Sequence, residues 1–295
     1  MVYGRRESGA WRILKQMTFD EILKSMSFED SMLKCNSPMN SSDRWSVMEK
    51  AYNDFYVSNI GKALPPKIPK ILHQIWLGSP LPNKYKILID LWKQRHPDWT
   101  FLLWDEKAVD DFGLTNRWMY DRMKNPSAKS DVIRYEVAYS YGGIYADTDF
   151  LNLRSFDDLL HLDFFVGIGG SYNGNLVVPD TQTLPGIFGC TQGNLLVSEI
   201  IKEIGAVQII PTDVPSIMNL TGPNMFARKV TALIDQHPNS VVFPVSYFYP
   251  FPAQQRETIR NIEHPDMIKA LEPYIYPETF TAHLWYCSWQ RPDLL

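Results

Sequence analysis

Three segments joined by short links constrain this chain more than any other feature. They are an apolar strand at residues 70–77 (KILHQIWL), a helical pattern at 85–96, and a second strand at 100–104 (TFLLW). Gly78-Ser79-Pro80 closes the first strand and Pro97 stops the helix. Strand, helix, strand in this rhythm is how an α/β sheet with parallel neighbours is built, and ligands in such sheets bind at the carboxyl ends of the strands. The loop at Gly78 and the residue Asp105 are therefore expected near a site. Upstream, Leu64-Pro65-Pro66-Lys67-Ile68-Pro69 resists helix, because proline fixes φ and donates no backbone hydrogen bond. It divides a helical region, residues 1–62, from the main α/β domain, residues 63–295. In the helical region, Ile13, Leu14 and Met17 fit one apolar stripe, Ile22, Leu23 and Met26 another, and a third helix runs through residues 45–56. Ser42 or Asp43 is its candidate cap.

Composition narrows the function classes. Apolar residues make up 45% and charged residues 21% of 295, which favours one ordered domain over disorder. The formal net charge of -4 gives no basic surplus, so nucleic acid is not the expected partner. Cys35, Cys190 and Cys287 are odd in number and widely spaced, which reads as reduced thiols in a cytosol-like compartment. Arg and Lys interrupt every apolar stretch near the N-terminus, so neither a signal peptide nor a membrane helix is expected. The chain is expected to stay in the cytoplasm where it is made, or to leave as a secreted effector by a route without a cleavable signal.

The chemistry is concentrated in residues 130–150, SDVIRYEVAYSYGGIYADTDF. Ser130 is the expected helix cap, with Asp131 in the electropositive first turn. Val132, Tyr135 and Tyr139 supply an apolar stripe, and Gly142-Gly143 ends the helix. Asp131 and Arg134, three apart, share a helix face. Ile144-Tyr145-Ala146 then reads as a brief strand running into Asp147-Thr148-Asp149, whose two carboxylates share one face with Thr148 pointing away. Adjacent carboxylates repel, and a divalent cation or a shared proton is the usual remedy. A hard ion with oxygen ligands, Mn²⁺ or Mg²⁺, would resolve the repulsion and would also grip a diphosphate. An isolated Asp-x-Asp is commonly only a solvated turn; the strand, the double glycine and the Asp-x-x-Arg helix before it favour the metal.

Ser130-Asp131-x-x-Arg134 followed by Gly142-Gly143-x-Tyr145-x-Asp147-x-Asp149 resembles the sugar-binding region of glycosyltransferase family 32, which includes fungal mannosyltransferases. The large clostridial glucosylating toxins are more distantly similar. Three further segments match in the same order. They are Ile68 to Gly78 (IPKILHQIWLG), Thr221-Gly222-Pro223, and His283 with Ser288-Trp289. The resemblance spans roughly residues 68–290 and implies a GT-A type, Rossmann-like doubly wound α/β fold with a small N-terminal helical region.

It also implies roles. Trp76 would stack on the nucleotide base, and Asp131 and Arg134 would hold the donor sugar, Arg134 also reaching the diphosphate. Asp149 would bind the metal directly. Asp147 would contact the ribose, or the metal through water. His283 or Ser288 would complete the metal and phosphate shell, and Trp289 would lie over the diphosphate. The expected activity is retaining, metal-dependent transfer of a hexosyl or N-acetylhexosaminyl group from a UDP- or GDP-sugar to a glycan, lipid or protein acceptor, with Asp149, Asp147 and Arg134 as catalytic residues. A nucleotide-sugar hydrolase on the same carboxylates is one alternative, and a non-catalytic sugar-nucleotide-binding protein another. Taken from the residues alone, Trp76 reads equally as core, His283 as a structural histidine, and Thr221-Gly222-Pro223 as a turn. His73 is assigned no chemistry. Gly189 to Asn194 (GCTQGN) lies where acceptor contacts would fall and matches only loosely. By analogy with the toxins, the N-terminal helices would make peripheral membrane contact; their stripes serve equally well as packing faces.

Overall fold

The computed structural model describes residues 18–35, 43–169, 183–262 and 266–286. Its strands are β1 (Ile71–Ile75), β2 (Thr100–Trp104), β3 (Gly143–Ala146), β4 (Phe150–Asn152), β5 (Phe164–Ile168), β6 (Thr183–Cys190), β7 (Ser240–Phe243) and β8 (Thr281–His283). Six form one sheet in the order β2-β1-β3-β6-β5-β7, and β4 pairs with β8. β1 lies parallel to both β2 and β3, as the strand–helix–strand order predicts. β6 runs antiparallel to β3 and β5, so the sheet is mixed. Side-chain alternation has the same period in either direction, so direction is not legible from it. β2 occupies the residues expected of it. β1 is shorter than expected, although the Trp76 N–H still donates to the Trp104 carbonyl at 3.0 Å.

Three helices precede the sheet, α1 (Phe19–Lys24), α2 (Phe28–Leu33) and α3 (Asp43–Ala51). Thr18 and Glu21 form a reciprocal cap on α1. The stripe at Ile13, Leu14 and Met17 and the candidate cap Ser42 lie outside the described residues. α3 runs into a π turn at Tyr52–Tyr56. The face formed by Trp45, Met48, Tyr52 and Tyr56 is buried against β7 and its following helix. The Tyr56 and Phe243 rings are 4.8 Å apart and the Tyr52 and Tyr247 hydroxyls 2.6 Å. This face therefore serves in packing. Among the described residues no helix is long and apolar enough to cross a membrane.

Along the main domain follow α4 (Asn83–Arg95), α5 (Glu106–Phe112), α6 (Arg117–Arg122), α7 (Pro126–Tyr141), α8 (Leu195–Ala206), α9 (Val214–Leu220), α10 (Pro223–Leu233) and α11 (Val245–Phe248). Helices cover both faces of the sheet. On one, Tyr135 of α7 stacks on Phe226 of α10 at 5.7 Å and faces Phe188 of β6. On the other, Phe165 of β5 meets Phe248 of α11 at 5.8 Å. α7 begins four residues before the expected cap. Asn125 accepts the Ser127 N–H and Pro126 takes the first helical position, where its missing N–H costs nothing. Ser130 instead donates to the Pro126 carbonyl inside the helix. Gly142-Gly143 ends α7 as expected, both at positive φ.

His73 is fully buried between Trp104 and α7. Its Nδ1 accepts from Trp104 Nε1 at 3.1 Å, which leaves Nε2 to donate to the Gly142 carbonyl at 2.8 Å. Burial lowers its pKa to about 4. The unfolded chain protonates His73 near the ordinary histidine value of about 6.5, so its contribution to stability is full above that pH and is lost as pH falls toward 4. We expect this one group to remove about 2 kcal/mol of unfolding free energy between about pH 7 and about pH 5. Urea unfolding at the two pH values should show that slope in the parent and a flatter one in His73→Gln.

Candidate active site

β1 and β3 run side by side in the same direction, and their carboxyl ends open into one cleft. Trp76 follows β1 and Asp147 follows β3, so the sheet itself brings these two distant segments together. The cleft is walled by Ile75, Trp76, Leu77, Tyr85, Arg134, Tyr145 and the Asp147–Asp149 turn, with His283 from β8. Thr148 also lines it, contrary to the expectation that it points away, because the chain turns at Asp147–Asp149 and is not extended there. Asp105 is occupied elsewhere: its carboxylate accepts the Ala108 N–H and caps α5.

The core of the site is a buried network that begins on α7. Arg134 pairs with Asp131 at 3.0 Å, one turn away, and reaches Asp147 at 3.7 Å. It also donates to the Pro185 carbonyl at 3.1 Å and lies 4.9 Å over the Tyr145 ring. The Tyr145 hydroxyl donates to Asp147 at 2.5 Å. Thr221 closes the other end, its hydroxyl 3.3 Å from Asp131. Here the Thr-Gly-Pro loop gains a physical reason. A Cβ on Gly222 would stand 3.1 Å from the Asp131 carboxylate and 3.0 Å from the Ile217 carbonyl, while Pro223 starts α10. Burial raises the Asp131 carboxyl to about 6, with Arg134 opposing the rise.

Asp149 is held from the C-terminal side. Its carboxylate takes the His283 Nε2 at 3.0 Å and the Tyr286 N–H at 2.9 Å, and its carbonyl takes the Leu284 N–H. Burial works to raise the Asp149 carboxyl, but His283 and the Tyr286 amide outweigh it and hold the group below the ordinary range. Asp147 moves the other way. Enclosure raises it, Arg134 opposes, and the neighbouring Asp149 charge adds to the rise. His283 stacks on Phe150 at 4.5 Å, and β4–β8 pairing fixes the two residues opposite each other.

These residues fit a divalent ion. Asp147, Asp149 and His283 each offer an atom, all within 4.8 Å of one another. The buried Nδ1 of His283 has no hydrogen-bond partner. Two carboxylates and an imidazole suit a divalent ion. Trp76 is 9% exposed, with its ring 4.5 Å from Tyr85 and its indole N–H donating to Ser79. It is both part of the core and a wall of the cleft. Of the anticipated site residues, Trp76, Asp131, Arg134, Asp147, Asp149 and His283 form one connected constellation. Ser288 and Trp289 lie outside the described residues. Asn194, in the loosely matching acceptor segment, caps α8 and donates to the Asp163 carbonyl. Sequence reasoning gave no role to Tyr85, Tyr145 or Tyr286. Only Tyr145 carried a signal, its place two residues before Asp147.

Residues 82–165 match the family model described as glycosyltransferase sugar-binding region containing DXD motif. Asp147-Thr148-Asp149 is an Asp-x-Asp within the matched residues. Inositol phosphoceramide mannosyltransferase 3 of Schizosaccharomyces pombe is 36% identical over 127 residues, covering 40% of this chain and 33% of that protein. An uncharacterized glycosyltransferase of Acanthamoeba polyphaga mimivirus, L373, is 25% identical over 230 residues, covering 75% of this chain and 84% of the relative. The catalytic domain of alpha-toxin from Clostridium novyi superposes with a TM-score of 0.46 at 9% identity, covering 100% of this chain and 95% of that one. The chain spans about a third of the length of the fungal mannosyltransferases it matches.

Proposed function

We propose that this chain is a metal-dependent retaining glycosyltransferase that moves a hexosyl or N-acetylhexosaminyl group from a UDP- or GDP-sugar to a glycan, lipid or protein acceptor. The observation that carries the reading is the Asp147–Asp149–His283 cluster, drawn within 4.8 Å in the same cleft as Trp76 and Arg134. A bound Mn²⁺ or Mg²⁺ supplies charge neutralisation for the departing diphosphate, worth several kcal/mol of barrier in typical cases.

The remaining work falls to the chain's own residues. Trp76 offers a ring face to the base. The Asp131–Arg134 pair, fixed at 3.0 Å, presents an acceptor and a donor to sugar hydroxyls. Arg134 adds positive charge where the leaving group gathers negative charge. Of the carboxylates at the site, Asp147 and Asp149 belong to the metal cluster, and Asp131 is engaged by Arg134 and Thr221. This favours front-face attack by the acceptor, with the leaving phosphate as base. The fungal relatives, named as inositol phosphoceramide mannosyltransferases, make mannose the first sugar to test and an inositol phosphate lipid the first acceptor.

The test is nucleotide release from a panel of UDP- and GDP-sugars with and without Mn²⁺. We expect one donor to be cleaved only with metal, and faster when acceptor is present. Metal-dependent cleavage that no acceptor accelerates would favour the hydrolase. No cleavage of any donor would remove the enzymatic reading. Within this mechanism Thr221→Val should raise the donor KM by roughly tenfold, the worth of one hydrogen bond to a charged group, with Thr221→Ser restoring it. Steady-state kinetics on the three proteins check this.

A further inference from the structure

Four side chains connect the two ends of the cleft. The Trp76 ring lies 4.5 Å from Tyr85, Tyr85 meets the Tyr286 ring edge-on at 5.9 Å, and the Tyr286 N–H holds Asp149 at 2.9 Å. On the proposed glycosyl-transfer reading, a nucleotide with its base on Trp76 and its diphosphate toward Asp149 runs along this line. One cation stands beside the Tyr85–Tyr286 pair, next in sequence to Tyr85, which lines the cleft. The Lys84 ammonium is 5.1 Å from the Tyr85 ring centre and 4.7 Å from that of Tyr286, so two aromatic faces position it. It is half-buried, and among the described residues it has no carboxylate partner within ion-pair distance. The first turn of α4, where Lys84 sits, holds no acidic residue to compete for it.

We infer that Lys84 is a phosphate-binding residue of this site, a fixed cation that takes the donor's diphosphate opposite the metal cluster. Its surroundings agree with an anion arriving from outside. Burial, together with the nearby Arg260 guanidinium, lowers its pKa, and Asp149 is the group that opposes them. Arg260 already pairs with Glu257 at 3.0 Å, whereas Lys84 is left to meet the ligand. A phosphate over the Tyr85–Tyr286 edge would accept from the ammonium in a partly desolvated place, where such contacts are strongest.

The experiment is calorimetric titration of UDP, GDP and the corresponding nucleosides into the full chain with Mn²⁺, comparing parent, Lys84→Met and Lys84→Arg. We expect Lys84→Met to weaken the diphosphate roughly tenfold or more and to leave nucleoside affinity unchanged, and Lys84→Arg to stay within about threefold of the parent. Equal loss of nucleoside affinity would mean that the side chain only supports the aromatic wall, and would overturn the assignment. So would a Lys84→Met protein that binds the diphosphate as tightly as the parent. A parent that binds no nucleotide would overturn the glycosyl-transfer reading, and this one with it.

Discussion

Replacing Asp149 by asparagine is expected to lower sugar transfer by roughly three orders of magnitude or more, with the thermal midpoint within a few degrees of the parent. The rate follows from what the group does. Asp149 is the carboxylate whose surroundings keep it ionised, and losing its charge removes a metal ligand and several kcal/mol of stabilisation for the leaving diphosphate. The fold should tolerate the change. Asparagine keeps an oxygen for the Tyr286 N–H and offers an amide to His283, and it removes the repulsion with Asp147. Initial rates at saturating donor and Mn²⁺, together with a melting curve, check both halves. A variant that transfers sugar at near the parental rate would take Asp149 out of the chemistry.

The largest effect on stability is expected one strand earlier. Gly143 sits at φ +101, and a Cβ there would stand 2.6 Å from the Ile71 carbonyl oxygen and 2.9 Å from the Ile71 Cβ. Neither neighbour is a flexible chain end. β1 and β3 pass each other at this point, and their pairing registers the whole cleft. Gly143→Ala therefore combines a disfavoured backbone with an overpacked strand contact, roughly 3–5 kcal/mol together, or a fall in Tm of roughly 6–15 °C. Gly113→Ala is the control. Its φ is +77 with nothing within 4 Å of the added carbon, so it carries the backbone penalty alone, on the order of 1 kcal/mol. Thermal unfolding followed by circular dichroism separates the two. A Gly143→Ala midpoint matching that of Gly113→Ala would mean that the strand contact is looser than described.

Much of the site is legible in the chain because its parts are local. Asp131 and Arg134 are one helical turn apart, and Gly142-Gly143, Tyr145 and the Asp147–Asp149 pair lie within eight residues. Spacing alone puts them on one unit. His283 is different. It lies 134 residues from Asp149, and only the matching of its segment to a known family pointed to it. β4–β8 pairing is what brings it in. The grouping of Tyr85, Tyr286 and Lys84 is not legible, since aromatic and lysine residues with no motif around them read as core and surface. The start of α7 differs from the expected one because Ser130 is a good cap in isolation, whereas Asn125, five residues earlier, is followed by proline at the first helical position. The direction of β6 depends on how the chain returns to the sheet, which strand periodicity does not encode.

We propose that one cleft binds a nucleoside diphosphate through a metal held by Asp147, Asp149 and His283. The most direct measurement is calorimetric titration of UDP and GDP into the parent protein, once with Mn²⁺ and once with EDTA. We expect one of the two nucleotides to bind with Mn²⁺ and at least roughly tenfold more weakly without it. Binding that is indifferent to the chelator, or no binding of either nucleotide, would contradict it.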